Sequence, residues 1–372
     1  MIVRILYVIS EDWFFASHFA ERADVLQRSG SVVGVATRHK SQCLVETETL
    51  RLFEMETNRG SLNILADIRA LFQLYRACRI FKPDILHCVA MKPNMFGALI
   101  GLFLGLPCVF APTGLGYLFT RDTPVTRLVR NGFLLTLKAA LRQPRNQMII
   151  ENSEDLQFFV DGQFVKSSQI HLIRGAGIDT DYFIASQEPH PPITVLCVSR
   201  LLADKGIREF FTAAHHIRAL RPDVRFLLVG GTDANNPTSL QESEVVELAK
   251  SSGVIWLGQQ NDVYPYYRDA HIVCLPSYRE GLPKVLLEAA ASGRCIVTTD
   301  VVGCREIVKH EITGILVEAR NADALAEGLL RVIDDAPLRE RLALAVCDLM
   351  ASGYSTRDIA TQTQVVYDLA SR

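Results

Sequence analysis

The first 173 residues alternate short apolar runs with longer segments in which apolar residues recur at helical spacing. Runs at 3–10 and 32–37 flank a helical segment that ends near residue 28, the pattern of a strand, a helix and a second strand. The same alternation predicts later strands at 85–88, 108–111, 147–150 and 171–173, and later helices at 61–80, 93–105, 126–142 and 153–161. This half is therefore predicted to form a parallel sheet with helices on both faces.

A linker is predicted after this first half. The segment 174–192 is rich in glycine at one end and in proline at the other, which is typical of a connection between domains. Beyond it the alternation resumes and predicts strands at 193–198, 225–229, 254–257, 272–275, 295–298 and 314–317. We therefore predict an α/β protein with two doubly wound parallel-sheet domains, residues 1–180 and 181–372.

The composition narrows the class of protein. With 49% hydrophobic residues and a formal net charge of -2, the chain is not expected to bind nucleic acid. Its nine cysteines are scattered singly, which argues against a disulfide framework or a zinc cluster and favours a reducing cytoplasm. The N-terminus lacks the features of a signal peptide. The uncharged segment 95–111 contains Gly105 and Pro107, so it is predicted to form a helix and a strand and no membrane span.

The stretch 278–293, YREGLPKVLLEAAASG, combines features of a site for a phosphorylated sugar. It follows a predicted strand and contains a predicted helix at 283–291, so its loop should lie at the carboxyl edge of the sheet, where ligands bind. The start of a helix offers free N–H groups and a positive dipole to a phosphate. Glu280 precedes this helix and Glu288 lies inside it, so the two carboxylates suit separate hydroxyl groups better than one metal ion.

Glu280 and Glu288, separated by seven residues, resemble the E-x7-E motif of the retaining glycosyltransferases of family 4. The resemblance extends through Glu-Gly-Leu-Pro and the apolar helix that follows it. It implies the GT-B fold, in which two Rossmann-like domains face a central cleft and the C-terminal helix crosses back onto the first domain. It also implies that the first domain binds the acceptor and that the second binds the nucleotide-sugar donor.

Two cations follow the first predicted strand of the second domain. Arg200 and Lys205 lie in SRLLADKG, at the carboxyl edge of the sheet and at the start of a helix. Departure of a nucleoside diphosphate places negative charge on its β-phosphate, and two fixed cations stabilise that charge without a metal. They resemble the Arg and Lys ligands of the donor diphosphate in the family.

The resemblance also assigns the remaining donor contacts of the second domain. It implies that Glu280 holds the hydroxyls of the donor sugar and that Glu288 holds those of the ribose. The backbone near Leu257 and Gly258 is implied to contact the nucleobase, while packing in the core is the equal alternative for Trp256. The loop that opens the helix after Glu280 is implied to contact the donor through Gly281, Leu282 and Pro283.

In the first domain, LHCVAMKPNMFG and APTGLGYLF resemble the subgroup that assembles capsular, O-antigen and lipid-linked oligosaccharides. This implies that Lys92, Gly114 and Gly116 contact the donor, although the two glycines could simply form a turn. The chain departs from the family at Val89, where many relatives carry a second histidine two residues after the position of His87. We expect Lys92 or the glycine loop to replace that contact.

The loop after the first strand departs from the family as well. Many relatives carry a Gly-Gly pair there, whereas this chain has SEDWFF followed by His18. We assign Trp13 and His18 to acceptor contact, with an ordinary helix position as the alternative for His18. Asp179 and Asp181 imitate the D-x-D metal motif, but they lie in the predicted linker and are expected to form a turn. No metal or cofactor is predicted.

A basic helix face is predicted at 126–142. At 100° per residue, Arg127, Arg130, Lys138 and Arg142 fall within an arc of about 120°. A solvated surface is the simple interpretation. The alternative is a contact with anionic phospholipids and with the pyrophosphate of a lipid-linked acceptor, which salt should weaken. It would place the protein in the cytoplasm, on the inner face of the cytoplasmic membrane.

These observations predict a retaining glycosyltransferase, of hexosyltransferase type, that acts in the synthesis of surface polysaccharides such as capsule or lipopolysaccharide. It would move a hexose or N-acetylhexosamine from a UDP-sugar to a hydroxyl of a lipid-linked glycan. One alternative is a UDP-sugar epimerase of the GT-B fold, which would form product without an acceptor. The other is a non-catalytic sugar-nucleotide-binding scaffold of a glycan-assembly complex, which would bind UDP without turnover.

Overall fold

The computed structural model describes residues 3–39, 43–57, 63–113, 123–233, 236, 238–351 and 353–372. The chain forms two compact units. The first contains Met1–Gly177 and Thr356–Arg372, and the second contains Ile178–Ser355. The boundary lies three residues before the predicted one at 180, and the C-terminal helix belongs to the first unit.

The first unit is built on a seven-stranded parallel sheet with the strand order β3-β2-β1-β4-β5-β6-β7. Its strands are β1 Arg4–Glu11, β2 Val32–Arg38, β3 Leu50–Glu54, β4 Ile85–Val89, β5 Cys108–Ala111, β6 Gln147–Ile150 and β7 Ile170–Leu172. Its helices are α1 Asp12–His18, α2 Ala20–Arg28, α3 Ile64–Phe81, α4 Met91–Leu104, α5 Pro124–Ala140, α6 Ser153–Asp161 and the C-terminal helix α14 Thr356–Ser371.

Alternate residues of the central strands explain why both faces of this sheet are covered. In β1, Ile5 and Tyr7 pack in one core with α1, α2 and α14. Leu6 and Val8 pack in the other core, with α3, α4, α5 and α6. Strands buried on both faces read as continuous apolar runs, which is why their positions could be predicted.

Two features of the first unit differ from the prediction. Strand β3, Leu50–Glu54, was not predicted, because its exposed charged residues interrupt the apolar pattern at the edge of the sheet. The single helix predicted up to residue 28 is two helices, which meet at Phe19, whose backbone is not helical. The segment 95–111 forms most of α4 and all of β5, a helix and a strand as predicted. Within the described part of the chain, no helix is long and apolar enough to cross a membrane.

The second unit is built on a six-stranded parallel sheet with the order β10-β9-β8-β11-β12-β13. Its strands are β8 Thr194–Val198, β9 Arg225–Val229, β10 Ile255–Trp256, β11 Ile272–Leu275, β12 Cys295–Thr299 and β13 Ile315–Val317. Its helices are α7 Ile207–Leu220, α8 Glu242–Ser252, α9 Tyr264–Arg268, α10 Lys284–Ala291, α11 Val302–Arg305, α12 Ala322–Asp334 and α13 Ala336–Met350. All six strands were predicted, with ends that differ by at most one residue.

The acidic pair that follows the unit boundary forms a turn, as predicted. The Asp179 carboxylate accepts hydrogen bonds from the backbone N–H groups of Asp181 and Tyr182, at 2.9 and 3.1 Å. Across the residues that the structure describes, no group of three or more His, Cys, Asp or Glu side chains is arranged to hold a metal ion.

Candidate functional site

The carboxyl edge of the second sheet brings the two predicted motifs together. Strands β8 and β11 are neighbours at the centre of this sheet, and the chain runs outward from them in opposite directions. Such a switch point leaves a crevice at the carboxyl ends of the strands, where ligands bind in doubly wound sheets. The loop after β8 carries Arg200 and Lys205, and the loop after β11 carries Glu280.

Close backbone packing holds these two loops against each other. Gly206 has a φ of 68°, and a Cβ at this position would lie 2.0 Å from the Pro276 carbonyl oxygen, so only glycine fits. The backbone N–H of Tyr278 donates to the Asp204 carbonyl oxygen at 2.8 Å. The turn Ala203–Lys205 is thereby fixed beside the Glu280 loop.

Lys205 and Glu280 form an ion pair. The Lys205 Nζ lies 2.6 Å from the Glu280 Oε1, and the two side chains are only 18% and 11% exposed. A pair this poorly solvated is weakly screened, so each group fixes the position of the other. The structure therefore places one predicted phosphate ligand in contact with the predicted sugar ligand.

Two residues that the sequence analysis did not single out support the Glu280 loop. The Tyr278 hydroxyl donates to Glu209 at 2.5 Å, and burial, with Glu209 beside it, raises the pKa of Tyr278 to about 12. Behind the loop, a Cβ at Gly303 would lie 2.3 Å from the Gly281 carbonyl oxygen and 2.7 Å from that of Glu280. The sequence offered one signal for the role of Gly303, which is that a glycine follows the strand predicted at 295–298.

Glu288 is held at a different depth, as its position inside helix α10 predicts. It is 8% exposed, and its Oε2 accepts a hydrogen bond from the Tyr267 hydroxyl at 2.8 Å. Burial and the adjacent Glu288 carboxylate raise the pKa of Tyr267 well above its usual value, so the phenol stays protonated. The helix begins at Lys284. Pro283 was predicted to be its first residue but is the N-terminal capping residue.

The neighbouring strand ends carry the other predicted donor contacts. The Arg200 guanidinium lies 3.1 Å from the Asp233 carboxylate. The backbone N–H of Gly230 donates to the Gly258 carbonyl oxygen at 2.8 Å, which joins the ends of β9 and β10. The Trp256 indole donates to the Gly230 carbonyl oxygen at 2.9 Å, and its ring packs on the core. The packing role of Trp256 is confirmed. Leu257 directly precedes Gly258 at this edge.

In the first unit, Trp13 and His18 lie on α1, directly after β1, and both are half-buried. The His18 ring lies 4.3 Å from the Phe14 ring, and its Nδ1 is 2.7 Å from the Ser17 Oγ. Lys92 lies in the first turn of α4, and its Nζ is 2.7 Å from the Asp67 carboxylate on α3. Gly114 and Gly116 lie outside the described residues.

Val89 and His87 are both fully buried at the end of β4. The His87 Nδ1 lies 2.5 Å from the hydroxyl of Tyr367 on the C-terminal helix. Burial, with Arg22 nearby, lowers the pKa of His87 well below its usual value, so the imidazole is neutral. His87 therefore joins the C-terminal helix to the sheet of the first unit.

The predicted basic face lies at the surface of α5. Arg127, Lys138 and Arg142 are exposed and Arg130 is half-buried. The helix ends at Ala140, so Arg142 follows it. Three of the four predicted cations are thus exposed at the surface of the first unit.

Comparison with known families agrees with this geometry. A family model described as "Glycosyl transferases group 1" matches residues 192–335, and one described as "Glycosyl transferase 4-like" matches residues 4–153. An N,N'-diacetylbacillosaminyl-diphospho-undecaprenol alpha-1,3-N-acetylgalactosaminyltransferase of Campylobacter jejuni is 30% identical over 79% of both chains. A UDP-Gal:alpha-D-GlcNAc-diphosphoundecaprenol alpha-1,3-galactosyltransferase of Escherichia coli is 25% identical over 77% of this chain and 76% of its own.

Solved structures show the same fold at lower identity. Sucrose-phosphate synthase from Thermosynechococcus elongatus superposes with a TM-score of 0.80 at 19% identity, covering 98% of both chains. The Anabaena protein HepE, solved in complex with UDP and glucose, has a TM-score of 0.74 at 17% identity and covers 98% of this chain and 99% of its own. These matches establish the GT-B fold, and together with the two family models and the relative from C. jejuni they show that this chain belongs to the family 4 glycosyltransferases.

Proposed function

We propose that this glycosyltransferase moves a hexose or N-acetylhexosamine from a UDP-sugar to a hydroxyl of a lipid-linked glycan, with retention of configuration, in the assembly of a surface polysaccharide. The observation that carries the proposal is the Lys205–Glu280 ion pair beside the start of α10. The names of the two relatives support the acceptor class, because both contain an undecaprenol diphosphate-linked sugar. The E. coli name also contains UDP-Gal, which supports a UDP-sugar donor.

Lys205 and Arg200 are proposed to bind the donor diphosphate. Each cation contacts a carboxylate in the structure: Lys205 contacts Glu280, and Arg200 contacts Asp233. A diphosphate carries more negative charge than a carboxylate and competes for both cations. As the bond between the sugar C1 and the β-phosphate oxygen breaks, its electron pair moves to the phosphate, where the two cations stabilise it.

Glu280 is proposed to hold the sugar. Once Lys205 turns to the diphosphate, the Glu280 carboxylate can accept hydrogen bonds from sugar hydroxyls. Tyr278 and Gly303 keep the loop in place from two sides, so the carboxylate needs little reorganisation when the donor binds. The backbone of Gly281, Leu282 and Pro283 is proposed to bring the diphosphate to the start of α10.

Glu288 is proposed to bind the ribose hydroxyls through the carboxylate that Tyr267 orients. The backbone of Leu257 and Gly258 is proposed to contact the uracil ring. These contacts exist in the ground state and in the transition state alike, so they should set donor affinity more than turnover.

Retention is proposed to follow a front-face route. The acceptor oxygen attacks the sugar C1 on the side from which the diphosphate departs, and a departing phosphate oxygen takes the acceptor proton. This route requires no side-chain base. It also requires no metal, because Lys205 and Arg200 supply positive charge at the phosphate.

The first unit is proposed to bind the acceptor through Trp13 and His18. Lys92, Gly114 and Gly116 are proposed to contact the donor, and one of them replaces the histidine that many relatives carry at the position of Val89. The protein is further proposed to work in the cytoplasm, on the inner face of the cytoplasmic membrane, where an undecaprenol-linked acceptor would reside. Arg127, Arg130, Lys138 and Arg142 would then face anionic lipid headgroups.

The test is a screen of UDP- and GDP-sugars with and without an undecaprenyl diphosphate-linked acceptor. Release of UDP together with labelled lipid-linked product from one UDP-sugar is the expected result. Conversion of a UDP-sugar to its epimer without acceptor would show the epimerase alternative. Binding of UDP with no turnover on any acceptor would favour the non-catalytic scaffold.

A further inference from the structure

Exposed apolar side chains are concentrated on one layer of the first unit. Helices α3, α4 and α5 contain 18, 14 and 17 residues. Yet they carry 11 of the 21 large hydrophobic side chains that are exposed in the described part of the chain. Soluble proteins seldom expose a contiguous apolar surface of this kind unless it binds a partner.

On α3 the apolar residues form a stripe along the helix. Ile64, Ile68 and Phe72 are spaced four residues apart, so they lie on one side of the helix. Leu65 lies beside them, and all four side chains are more than half exposed. The opposite side of α3 packs into the core, for example through Leu74. The stripe therefore has no role in the core.

The stripe continues across α4 and α5. Helix α4 packs between α3 and α5, and it exposes Leu99 and Phe103. The Phe103 ring lies 6.1 Å from the ring of Tyr75 on α3, which joins the outer sides of the two helices. On α5, Leu128 and Leu135 are each more than two-thirds exposed. We call the exposed residues on these three helices the apolar surface.

Cations accompany the apolar surface. The three helices carry seven cations and one carboxylate, Asp67, in a chain with a formal net charge of -2. At 100° per residue, Arg69 and Arg76 lie within about 60° of Phe72 around α3, and Arg127 and Lys138 lie within about 100° of Leu128 around α5. Apolar side chains bordered by cations are typical of protein surfaces that bind anionic membranes.

We propose that the apolar surface inserts into the boundary between headgroups and acyl chains of an anionic membrane, while the bordering cations contact lipid phosphates. A second copy of this chain is a poorer occupant, because a twofold interface would bring the same cations of both copies together. The proposed contact is with one leaflet, because the apolar surface is a layer of helices on the outside of the first unit. This inference extends the membrane contact that is part of the proposed function. It rests on the proposed function in one respect, because the lipid-linked acceptor explains why the enzyme would bind a membrane.

Insertion and purely electrostatic contact respond differently to salt. Cations bound to headgroups are released as salt screens the attraction, whereas burial of apolar side chains persists. Binding that depended on the basic face alone should be lost at about 0.5 M salt. The apolar surface predicts that a substantial part of the binding remains.

The experiment is sedimentation of the full chain with vesicles of phosphatidylcholine and phosphatidylglycerol, at low salt and at about 0.5 M salt. The apolar variant carries Ile68→Ser, Phe72→Ser, Phe103→Ser and Leu128→Ser. The matched control carries Leu220→Ser, Val246→Ser, Ile312→Ser and Leu344→Ser, four similarly exposed positions of the second unit. A third variant changes Arg127, Arg130, Lys138 and Arg142 to serine.

Parent and control should bind at both salt concentrations, and the apolar variant should bind about tenfold more weakly or worse at both. The variant in which the four cations are changed to serine should bind more weakly than the parent chiefly at low salt, because salt already screens the cations of the parent at high concentration. Equal binding by the apolar variant, or no binding by the parent, would overturn the proposal. So would a parent dimer that the apolar variant converts to a monomer without any vesicle binding, since a second copy would then be the occupant.

A second measurement reports insertion directly. Leu128→Trp should show fluorescence that vesicles with brominated acyl chains quench, beyond the signal of the parent, which has two tryptophans. Quenching equal to that of the parent would contradict insertion. Neither assay contains a sugar donor, so a failure of membrane binding is distinguishable from a failure of the proposed transfer reaction. Thermal unfolding of each variant verifies that it is folded.

Discussion

Lys205 is the residue on which the proposed chemistry depends most. Its ammonium group lies 2.6 Å from Glu280 in a poorly solvated place at the end of the central strands. A cation that the fold has already positioned stabilises a departing phosphate without reorganisation during the reaction. The same ion pair brings together a carboxylate and a cation that have 74 residues between them in the chain.

Lys205→Ala should lower kcat by about 100-fold or more, because one preorganised charge at a developing oxyanion is worth a few kcal/mol. Steady-state rates with saturating donor provide the measurement. Lys250→Ala, at an exposed position of α8, serves as the control and should leave the rate unchanged. Near-normal turnover of Lys205→Ala would remove Lys205 from the mechanism.

Glu288→Gln should raise the donor KM by about tenfold or more and leave kcat nearly unchanged, because ribose contacts are equal in the ground and transition states. Glutamine still accepts the Tyr267 hydrogen bond, so the fold should tolerate it. Tyr267→Phe removes this one hydrogen bond to the carboxylate and should give a smaller rise in KM. A loss confined to kcat would show that Glu288 does not bind the ribose.

Glu151 predicts a dependence of stability on pH. Burial raises the pKa of Glu151 to about 7. The charge of Arg22 opposes this increase, and the nearby Asp155 carboxylate adds to it. The carboxyl is therefore protonated in the folded state at a pH where it is ionised in the unfolded state. Its contribution to stability is complete below about pH 4.5 and is lost as the pH rises through 7.

Glu151→Gln should consequently be more stable than the parent at pH 8, by on the order of 1 to 3 kcal/mol, and nearly equal to it at pH 4.5. Denaturant unfolding at the two pH values measures the difference. Glu154→Gln, on the exposed surface of α6, is the control. An equal effect of Glu151→Gln at both pH values would contradict the raised pKa.

Among the elements, the loop between β11 and α10 owes its shape to neighbours on two sides. The turn around Gly206 packs against the beginning of this loop. Helix α11 packs closely against the backbone of Glu280 and Gly281, because Gly303 has no side chain. Thr299, at the end of β12, donates its hydroxyl hydrogen to the Ser277 carbonyl oxygen. Several neighbouring elements, and not the loop alone, therefore determine the position of Glu280.

Gly303→Ala tests this dependence. A Cβ 2.3 Å from the Gly281 carbonyl oxygen must displace the loop, and a misplacement of about 1 Å can lower kcat by 10- to 100-fold. Gly132→Ala is a matched control, because a Cβ there would meet no atom within 4 Å. Normal turnover of Gly303→Ala would show that the loop is not held in the way described.

The elements also show what could be predicted from the sequence. Strands buried on both faces, such as Gln147–Ile150, were placed correctly because their apolar runs stand out. The edge strand Leu50–Glu54 was missed because solvent on its open side permits charged residues. Glu280, Glu288 and Lys205 were singled out through local motifs, and their roles remain predictions. Tyr267 was not singled out, because its contact with Glu288 joins two helices and no local pattern records it.

At the scale of the whole molecule, two sheets of similar construction are formed by one chain that returns to its first unit at the end. Helix α14 completes one face of the first sheet, and its Tyr367 hydroxyl lies within 2.9 Å of both the Tyr7 hydroxyl and the His87 Nδ1. The resemblance implied this return. The buried contacts that stabilise it could not be predicted, because they join residues that are 280 and 360 positions apart.

The most direct test of the account is an NMR time course of sugar transfer from a UDP-α-linked donor to the undecaprenyl diphosphate-linked acceptor, with EDTA present. We predict release of UDP, an α-linkage in the first product formed, and a rate that EDTA does not change. The same time course with Lys205→Ala should show almost no product. A β-linked product, a rate abolished by EDTA, or consumption of the donor without transfer would contradict a metal-independent retaining transferase.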